Sequence, residues 1–447
     1  MPRTDLQLLE EALRKLEDGF SSFPDTLPED TREIAAVLEK TAERLHDNFP
    51  YFQHEYAGQM LKPPHAIARL AYMLALYINP NNHALDGGRA SSAMEKEAVA
   101  QLAAMVGWEE HLGHLTGGGT VANLEALWVA GKRHPGKKVV ASAAAHYTHE
   151  RISGVLGLPF EKIACGKEGK MSLTELEDSL KGGEVGTVVV TMGTTGTGSV
   201  EDLHGVLRLR ETYDFRIHLD AAYGGYFILS AALPESVRRQ YALMHQADSI
   251  VIDPHKHGLQ PYGCGCILFR DPSVGQLYNH DSPYTYFSSA SLHLGEISLE
   301  CSRAGAAAVA LWATLQLFPL EKNGRFATTI LDRCYRAAQQ FYQRVVASPH
   351  FLPLQEPELD IVVWAPHADT LSAISQKSQH IFEEAARNGV HLALINYPAE
   401  QLPEQWSGVR FDQPTVRCLR TCLMKPEHES AVDTIWEAVE AAYSASQ

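Results

Sequence analysis

The sequence carries little positive charge and contains no long apolar run. Its 447 residues include 38 lysines and arginines against 54 aspartates and glutamates, which gives a formal net charge of −16 at pH 7. Because this balance repels phosphate groups, it argues against nucleic acid or an anionic membrane as the main partner. No apolar stretch approaches the ~20 residues that a membrane-spanning helix needs. We therefore expect no nucleic-acid partner and no membrane-spanning segment.

Paired cysteines and targeting segments are also missing. The seven cysteines are an odd number and none lies in a CxxC pattern, while Cys264 and Cys266 have the same-face spacing of a strand. This usage predicts reduced, buried thiols and not disulfides. The N-terminal stretch MPRTDLQLLEEALRKLEDGF is typical of an amphipathic helix with acidic residues, unlike a signal peptide or an arginine-rich transit peptide. We expect a cytoplasmic protein.

A metal site is not expected either. Two histidine pairs occur, His146 with His149 and His255 with His257. Neither pair stands in a zinc-binding motif such as HExxH, so the sequence predicts no metal ligand.

The pattern that is present is an alternation of helices and short apolar strands between about residues 90 and 270. The clearest strands are KVVAS, GTVVVTMG, FRIHLDAAY, SIVIDP and GCILFRD. Strands that are apolar on both faces and separated by helices indicate a mostly parallel sheet covered by helices on both sides.

Further elements are predicted on either side of this region. Helical spacing occurs over residues 5–19 and 31–46, and the alanine-rich stretch within 300–325 is typical of a buried helix. A second, smaller α/β unit follows, with strands near LDIVVWAP and VRCLRTCLM and helices over 371–388 and 427–444. The predicted domains are an N-terminal helical segment (1–50), a large domain (51–325) and a small C-terminal α/β domain (326–447).

Polar side chains follow four of the predicted strands. They are His146 after KVVAS, Thr194 and Thr195 after GTVVVTMG, Asp220 at the end of RIHLD, and Lys256 after SIVIDP. Ligands of open parallel sheets bind at the carboxyl ends of the strands. An imidazole, two hydroxyls, a carboxylate and an amine are therefore predicted to meet in one crevice.

A glycine-rich loop precedes these strands. Gly117, Gly118 and Gly119 stand before a helix that is predicted to start near Thr120. The free N–H groups of such a helix end bind anions. The match to a dinucleotide fingerprint is weak, because the preceding segment does not have the pattern of a strand and no acidic residue ends the next strand to hold a ribose. The loop suits a phosphate monoester better.

A phosphate site, an amine, a deep carboxylate and an imidazole are the four contacts that pyridoxal 5′-phosphate (PLP) requires. The motifs LTGGGTVANLEAL, TMGTTGTGSVED, HLDAAYGGY and DPHKHG followed by GCGCILFRD occur in this order. Together they resemble the group II PLP-dependent amino-acid decarboxylases, which include glutamate, aromatic-amino-acid, histidine and tyrosine/aspartate decarboxylases. The resemblance covers about residues 45–330 and is looser in the C-terminal unit.

The resemblance implies roles for the residues at the strand ends. Lys256 is similar to the lysine that forms a Schiff base with the cofactor, and Asp220 to the partner of the pyridine nitrogen. Ala222 is implied to pack on the ring, and His146 to stack on it near the substrate carboxylate. His149, one helical turn after His146, is expected to be structural.

The resemblance also implies contacts to the rest of the cofactor and to the substrate. Gly119 and Thr120 are similar to phosphate ligands, with His255 beside them. Either Thr194 or Thr195 corresponds to the threonine near the 3-hydroxyl. Arg420, in VRCLRTCLM, is a candidate for holding the substrate carboxylate.

A tyrosine-rich segment over residues 277–289 has the composition of a loop. The family has a mobile loop near this place, whose tyrosine reaches the partner subunit's site and protonates Cα. Tyr284 and Tyr286 are the candidates for this proton donor. Packing of the same tyrosines at a dimer interface explains the composition equally well.

The family resemblance implies the type I PLP-dependent fold, that of aspartate aminotransferase, with a large domain around a mostly parallel sheet and a small C-terminal α/β domain. It also implies a homodimer with shared active sites. The expected reaction is α-decarboxylation of an L-amino acid to an amine and CO2.

The identity of the amino acid stays open. Phe52, Tyr56 and Pro64 offer apolar walls that suit an aromatic side chain such as that of tyrosine or DOPA, and this reading is favoured slightly. Gln53, His54 and Arg89 favour instead the carboxylate of aspartate or glutamate. Phe52 and Gln53 are the candidate substrate contacts.

Other functions are compatible with the same residues. The fold also supports aldehyde synthesis, transamination and carbon–carbon lyase chemistry. Two further alternatives are a cofactor-binding protein without turnover and a nucleotide-binding oxidoreductase, and an amine-production assay with a visible spectrum separates them.

Overall fold

The N-terminal region consists of helices. The computed structural model of the protein describes residues 3–21, 30–278 and 291–445. The first helices are α1 (Asp5–Glu17), α2 (Thr31–Leu45), α3 (Ala66–Leu76) and α4 (Leu85–Met105). Thr4 and Gln7 form a capping box at the start of α1, and the Asp30 side chain caps α2. The two helices predicted over 5–19 and 31–46 are confirmed to within two residues at each end.

A seven-stranded sheet forms the centre of the molecule. Its strands are β1 (Leu112–Thr116), β2 (Lys138–Ser142), β3 (Phe160–Ile163), β4 (Val185–Thr191), β5 (Arg216–Asp220), β6 (Ser249–Ile252) and β7 (Gly265–Phe269). Their order is β1-β7-β6-β5-β4-β2-β3. Strands β3, β2, β4, β5 and β6 pair in parallel, and β7 runs antiparallel to both of its neighbours. The predicted mostly parallel sheet is confirmed.

Helices cover this sheet. They are α5 (Gly119–Arg133), α6 (Thr148–Leu156), α7 (Leu173–Lys181), α8 (Leu203–Arg210), α9 (Glu235–Ala242) and α10 (Gly305–Leu317). Every residue of β4 is buried, which is why its sequence is apolar without alternation. Helix α10 packs on α3 and α4 and is buried along most of its length, as its alanine-rich sequence predicts.

The segment before the glycine loop is a strand, and the sequence interpretation was wrong here. LGHLT forms β1, although His114 interrupts its apolar pattern. His114 can be buried at low cost because its Nε2 lies 3.0 Å from Glu125 Oε2 on α5, which gives the ring a hydrogen-bond partner. Gly113 lies so close to β7 that a Cβ would come within 2.6 Å of the Ile267 carbonyl oxygen. The carboxylate of Glu125, on a different element, therefore provides the hydrogen bond that His114 needs in the interior. The local sequence of β1 does not show this contact.

The C-terminal region forms a second layer of sheet and helices. Its elements are α11 (Asp332–Ala347), β8 (Phe351–Pro353), β9 (Ile361–Pro366), α12 (Leu371–Arg387), β10 (Ala393–Pro398), β11 (Thr415–Cys422) and α13 (His428–Ser444). The four strands are antiparallel in the order β10-β11-β9-β8. A separate apolar core includes Phe341, Phe351, Trp364 and Trp436. The α/β class and the type I arrangement of a large and a small sheet agree with the predicted fold.

The predicted domain limits at residues 50 and 325 stay predictions. Tyr56 forms a parallel β-bridge with His391, and the carbonyl of Ala57 accepts a hydrogen bond from the Cys422 N–H at 2.8 Å. This stretch therefore contacts the C-terminal sheet. Within residues 3–21, 30–278 and 291–445, no helix is both long and apolar enough to cross a membrane.

Candidate active site

A cavity of about 320 Å³ opens at the carboxyl ends of the parallel strands. The sheet order places β4, β5 and β6 side by side, so the residues that follow them meet there. Ten residues that were singled out from the sequence line this cavity: Gly117, Gly118, Gly119, Thr120, His146, Thr195, Asp220, Ala222, His255 and Lys256. The predicted convergence of an amine, a carboxylate, an imidazole and a glycine loop is therefore present in the folded chain.

Lys256 lies in a tight turn after β6. Its Nζ is 3.1 Å from Asp253 Oδ2, and its N–H donates to the Asp253 carbonyl at 2.9 Å. Gly258 makes this turn possible, because a Cβ there would lie 2.4 Å from the Tyr226 hydroxyl oxygen. The Asp253 side chain is only 3% exposed. The buried carboxylate therefore holds the amine at the cavity wall.

Asp220 is the last residue of β5, and hydrogen bonds fix both of its oxygens. Oδ2 lies 2.8 Å from His149 Nε2, and Oδ1 accepts the N–H of Ala222 at 3.1 Å. Burial by itself would raise the pKa of Asp220, but the His149 hydrogen bond and the Lys256 charge together hold it well below its ordinary value. The carboxylate is therefore charged at neutral pH, although it lies deep in the protein.

His146 precedes α6 and is half-buried at the cavity wall. Its Nδ1 accepts the N–H of Thr148 at 3.3 Å and lies 2.6 Å from the Thr148 hydroxyl. These contacts leave the ring proton on Nε2. Burial lowers the pKa of His146, so a neutral imidazole faces the cavity near neutral pH.

The glycine loop forms the N-terminus of α5. Gly118 caps this helix without a side chain at φ +142°, a conformation that favours glycine. A Cβ on Gly119 would lie 2.5 Å from Asp253 Oδ2, and one on Gly118 would lie 3.3 Å from His255 Cε1. The first N–H groups of a helix have no partner within the helix. This end of α5 can therefore accept an anion at close range.

Four of the predicted site residues lie outside this cavity: Thr194, Arg420, Phe52 and Gln53. Thr194 is buried, and its hydroxyl contacts Thr197 Oγ1 at 2.9 Å and accepts the N–H of Ser199 at 3.2 Å. Only Thr195 of the two threonines lines the cavity. Arg420, on β11, donates from Nε to the Gly196 carbonyl at 3.1 Å and so joins the loop after β4 to the C-terminal sheet.

Phe52 and Gln53 do not reach this cavity. Phe52 is 68% exposed and lines a different cavity together with Lys62 and Lys425. Gln53 is exposed, and its carbonyl accepts a hydrogen bond from Lys425 Nζ at 2.7 Å. Tyr284 and Tyr286 fall outside the described residues, so their roles stay predictions.

Comparison with known proteins identifies the family. The model of the pyridoxal-dependent decarboxylase conserved domain matches residues 132–365, more than half of the 447-residue chain. The chain belongs to this family. It is 25% identical to the L-tyrosine decarboxylase of Enterococcus faecium, over 83% of this chain and 79% of that protein. It is 27% identical to the L-aspartate decarboxylase of Thermococcus kodakarensis, over 73% of this chain and 83% of that protein.

Solved structures show the same fold. Mouse CSAD superposes with a TM-score of 0.78 at 18% identity, over 97% of this chain and 91% of that one. The Oryza sativa TDC with PLP and tryptamine also gives a TM-score of 0.78, at 16% identity and over 99% and 92% of the two chains. The protein is thus a PLP-dependent amino-acid decarboxylase of the type I fold, as the sequence predicted.

The donor set of the cavity fits PLP. Three buried polar atoms of cavity-lining residues have no hydrogen-bond partner within the described part of the chain: Asp253 Oδ1, His255 Nδ1 and Thr191 Oγ1. Such atoms cost free energy unless a ligand or water satisfies them. PLP presents a phosphate, a hydroxyl and a ring nitrogen to such groups, and an aldehyde to the amine of Lys256.

Two contacts in this site carry no clear signal in the sequence. The Asp253–Lys256 ion pair has the i, i+3 spacing of a turn, which by itself is common. The His149–Asp220 hydrogen bond joins residues 71 positions apart. The position of His149 one helical turn after His146 is the available signal in the sequence, where a structural role was predicted for His149.

The close approach of the glycine loop to Asp253 can be tested by a single methyl group. We expect Gly119→Ala to weaken PLP binding by at least about tenfold, or roughly 1.4 kcal/mol, because the new Cβ displaces the carboxylate that pairs with Lys256. Titration of the apo-protein with PLP, followed by absorbance, measures this. Gly154→Ala is the matched control, since a Cβ there meets nothing within 4 Å. Equal affinities in the two variants would contradict the prediction.

Proposed function

We propose that this decarboxylase acts on an L-amino acid with an aromatic side chain, and that Lys256, Asp220 and His146 carry the reaction. The observation that supports these assignments is the convergence of the three side chains and the glycine loop on one cavity. PLP, when bound, supplies an electron sink for the pair of electrons that CO2 leaves behind. The protein residues bind it, hold its ring nitrogen charged and orient the substrate.

Lys256 Nζ is the group that binds the cofactor aldehyde. Its ammonium pairs with Asp253 Oδ2 at 3.1 Å, which gives its proton an acceptor within direct reach. A lysine must lose a proton before it acts as a nucleophile. Asp253 therefore both places the amine and is the nearest acceptor for that proton.

Asp220 holds a proton on the ring nitrogen. Its carboxylate stays charged because two donors satisfy its oxygens. A charged partner raises the pKa of a nearby cationic acid. Asp220 would therefore keep the ring nitrogen of bound PLP protonated at neutral pH, which would make the ring a stronger electron sink.

The neutral ring of His146 and the end of α5 hold the other parts of the cofactor. The imidazole is a flat, uncharged surface on which an aromatic ring can stack. The N-terminus of α5 offers N–H groups to the phosphate, and His255, from the turn after β6, lies against Gly118 of the glycine loop. Of the two threonines, Thr195 would be the one to hold the 3-hydroxyl, because it lines the cavity and Thr194 does not.

The charges of the cavity favour an aromatic substrate over an acidic one. Among its described lining residues, Lys256 is the only lysine or arginine. An acidic side chain needs a cation in the cavity besides Lys256, which binds the cofactor. Arg420 does not line the cavity, so its role in holding the substrate α-carboxylate stays a prediction. The relatives include decarboxylases named for tyrosine and for aspartate, so aspartate or glutamate is the alternative substrate class.

An amine-production screen tests this function. The purified protein is loaded with PLP and incubated with tyrosine, DOPA, tryptophan, phenylalanine, aspartate and glutamate, and released CO2 and amines are measured. We expect tyramine or another aryl amine as the main product. β-Alanine from aspartate as the main product would establish the acidic alternative, and an aldehyde with ammonia would establish aldehyde synthesis.

We further propose a homodimer. Helix α2 has no buried residue, and its apolar Val37, Leu38 and Leu45 are each more than 60% exposed. Apolar side chains that are aligned on one helix and left in solvent favour a protein partner. A second copy of the chain is the partner expected from the family resemblance. Sedimentation equilibrium decides, since a monomer mass would contradict the proposal.

The cysteines support a cytoplasmic location. All seven lie within the described residues and all are free. Five are buried as predicted, whereas Cys165 is only partly buried and Cys301 is exposed. Burial raises the pKa of Cys264, Cys334 and Cys418, which keeps these thiols protonated and unreactive. Unpaired cysteines of this kind are typical of a reducing compartment.

A further inference from the structure

His149 contacts the charged carboxylate of Asp220 without itself lining the cavity. It lies in α6, is fully buried, and places Nε2 2.8 Å from Asp220 Oδ2. The other oxygen of Asp220 accepts the backbone N–H of Ala222. His149 is therefore the side-chain donor that the described residues offer to Asp220, and it fixes the rotation of the carboxylate about its Cβ–Cγ bond.

The hydrogen-bond network defines which nitrogen of His149 carries the shared proton. Nδ1 is buried and has no hydrogen-bond partner among the described residues. A carboxylate oxygen accepts only, so the proton of the 2.8 Å contact lies on Nε2. His149 thus donates Nε2–H to Asp220 Oδ2, and no other described group competes for that proton.

A second histidine beside this pair adds no charge. The ring of His218 lies 6.3 Å from that of His149, between Asn123 Oδ1 at 2.8 Å and Ser249 Oγ at 2.9 Å. Burial lowers the pKa of His218 to about 3, so it is neutral at physiological pH. Burial also lowers the pKa of His146. Of the side chains that face Asp220, Lys256 and His149 thus remain as those that stabilise its negative charge, beside the backbone N–H of Ala222.

Loss of the His149 donor would leave one carboxylate oxygen buried without a partner. A buried oxygen without a hydrogen bond favours the protonated acid, which carries no charge toward the cavity. A protonated Asp220 could not hold a proton on the cofactor ring. The position of His149 therefore affects the ring nitrogen although the histidine does not line the cavity.

We propose that His149 is a positioning residue that keeps Asp220 charged and turned toward the ring nitrogen of bound PLP. The inference rests on the proposed function, specifically on Asp220 as the partner of that nitrogen. It implies a selective effect: His149 should matter for a ligand that has the ring nitrogen and not for one that lacks it.

The test compares PLP with its carbocyclic analogue, in which C–H replaces the ring nitrogen. Dissociation constants of both ligands are measured by titration of full-length apo-protein for the native chain, His149→Leu and His149→Gln. We expect His149→Leu to lose at least about tenfold of the native preference for PLP. His149→Gln should retain most of it, because the glutamine amide nitrogen can reach the position of Nε2 and donate to Oδ2.

The preference is the ratio of the two dissociation constants measured for one variant. A general loss of folding stability weakens both ligands alike and therefore cancels in this ratio. Ser153→Ala, a buried substitution in the same helix, is the control and should keep the native ratio. An unchanged ratio in His149→Leu, or equal weakening of both ligands, would overturn the inference. If Asp220→Asn also leaves the ratio unchanged, the assignment of Asp220 in the proposed function fails. If Asp220→Asn lowers the ratio and His149→Leu does not, only the role of His149 fails.

Discussion

Replacement of Lys256 by alanine is expected to remove covalent cofactor binding and to lower the decarboxylation rate by at least about a thousandfold, or roughly 4 kcal/mol in the barrier. Lys256 is the only described lysine on the wall of the cavity. Alanine removes the amine and leaves Asp253 without its cation. The fold should survive, because the lysine contributes little to the apolar core.

Borohydride reduction followed by peptide mapping measures this result directly. In the native protein the reduced cofactor should be attached to the peptide that contains Lys256, and in Lys256→Ala no peptide should carry it. Lys138→Ala is the matched control, since Lys138 lies at the amino end of β2, away from the cavity, and pairs with Glu161 and Glu184. A label on another lysine of the native chain would show that Lys256 is not the attachment point.

Asp220→Asn is expected to bind PLP and to lose at least about a hundredfold in turnover. An amide cannot supply the negative charge that holds a proton on the ring nitrogen, and each pKa unit of that nitrogen corresponds to about 1.4 kcal/mol. The measurement is the single-turnover rate at saturating cofactor. Asp248→Asn, which changes a carboxylate at the amino end of β6, is the control and should keep its turnover. Near-native turnover in Asp220→Asn would mean that this carboxylate only closes a turn.

The pKa of Asp220 also predicts a pH dependence. Its folded-state pKa is depressed, so its contribution to stability is present above the unfolded-state pKa of about 3.9. That contribution is lost only as the pH falls through the lower, folded-state pKa. Thermal denaturation of the native protein and of Asp220→Asn should therefore show a constant difference in stability between about pH 5 and 8, with convergence only in strong acid.

Local sequence was sufficient to predict most of the large sheet. KVVAS matches β2 residue for residue, and the predicted FRIHLDAAY and GCILFRD contain the shorter observed strands β5 and β7. Strands that are buried on both faces need continuous apolar runs, which local sequence shows. The polar residues that follow such runs were therefore assigned to strand ends correctly. β1 was missed, because His114 breaks the pattern and its partner Glu125 lies on a helix.

The sequence by itself determined the fold class, the cofactor and the identity of the residues at the strand ends, because these depend on local patterns and on side-chain chemistry. Only the tertiary structure decided which of those residues meet. The strand order makes β4, β5 and β6 neighbours, so Lys256 and Asp220 share a cavity that Phe52 and Gln53 do not reach. The tertiary structure also decided that His149 donates to Asp220, a residue 71 positions further along the chain. A buried charge must find its partner in space, and no local pattern encodes that distance.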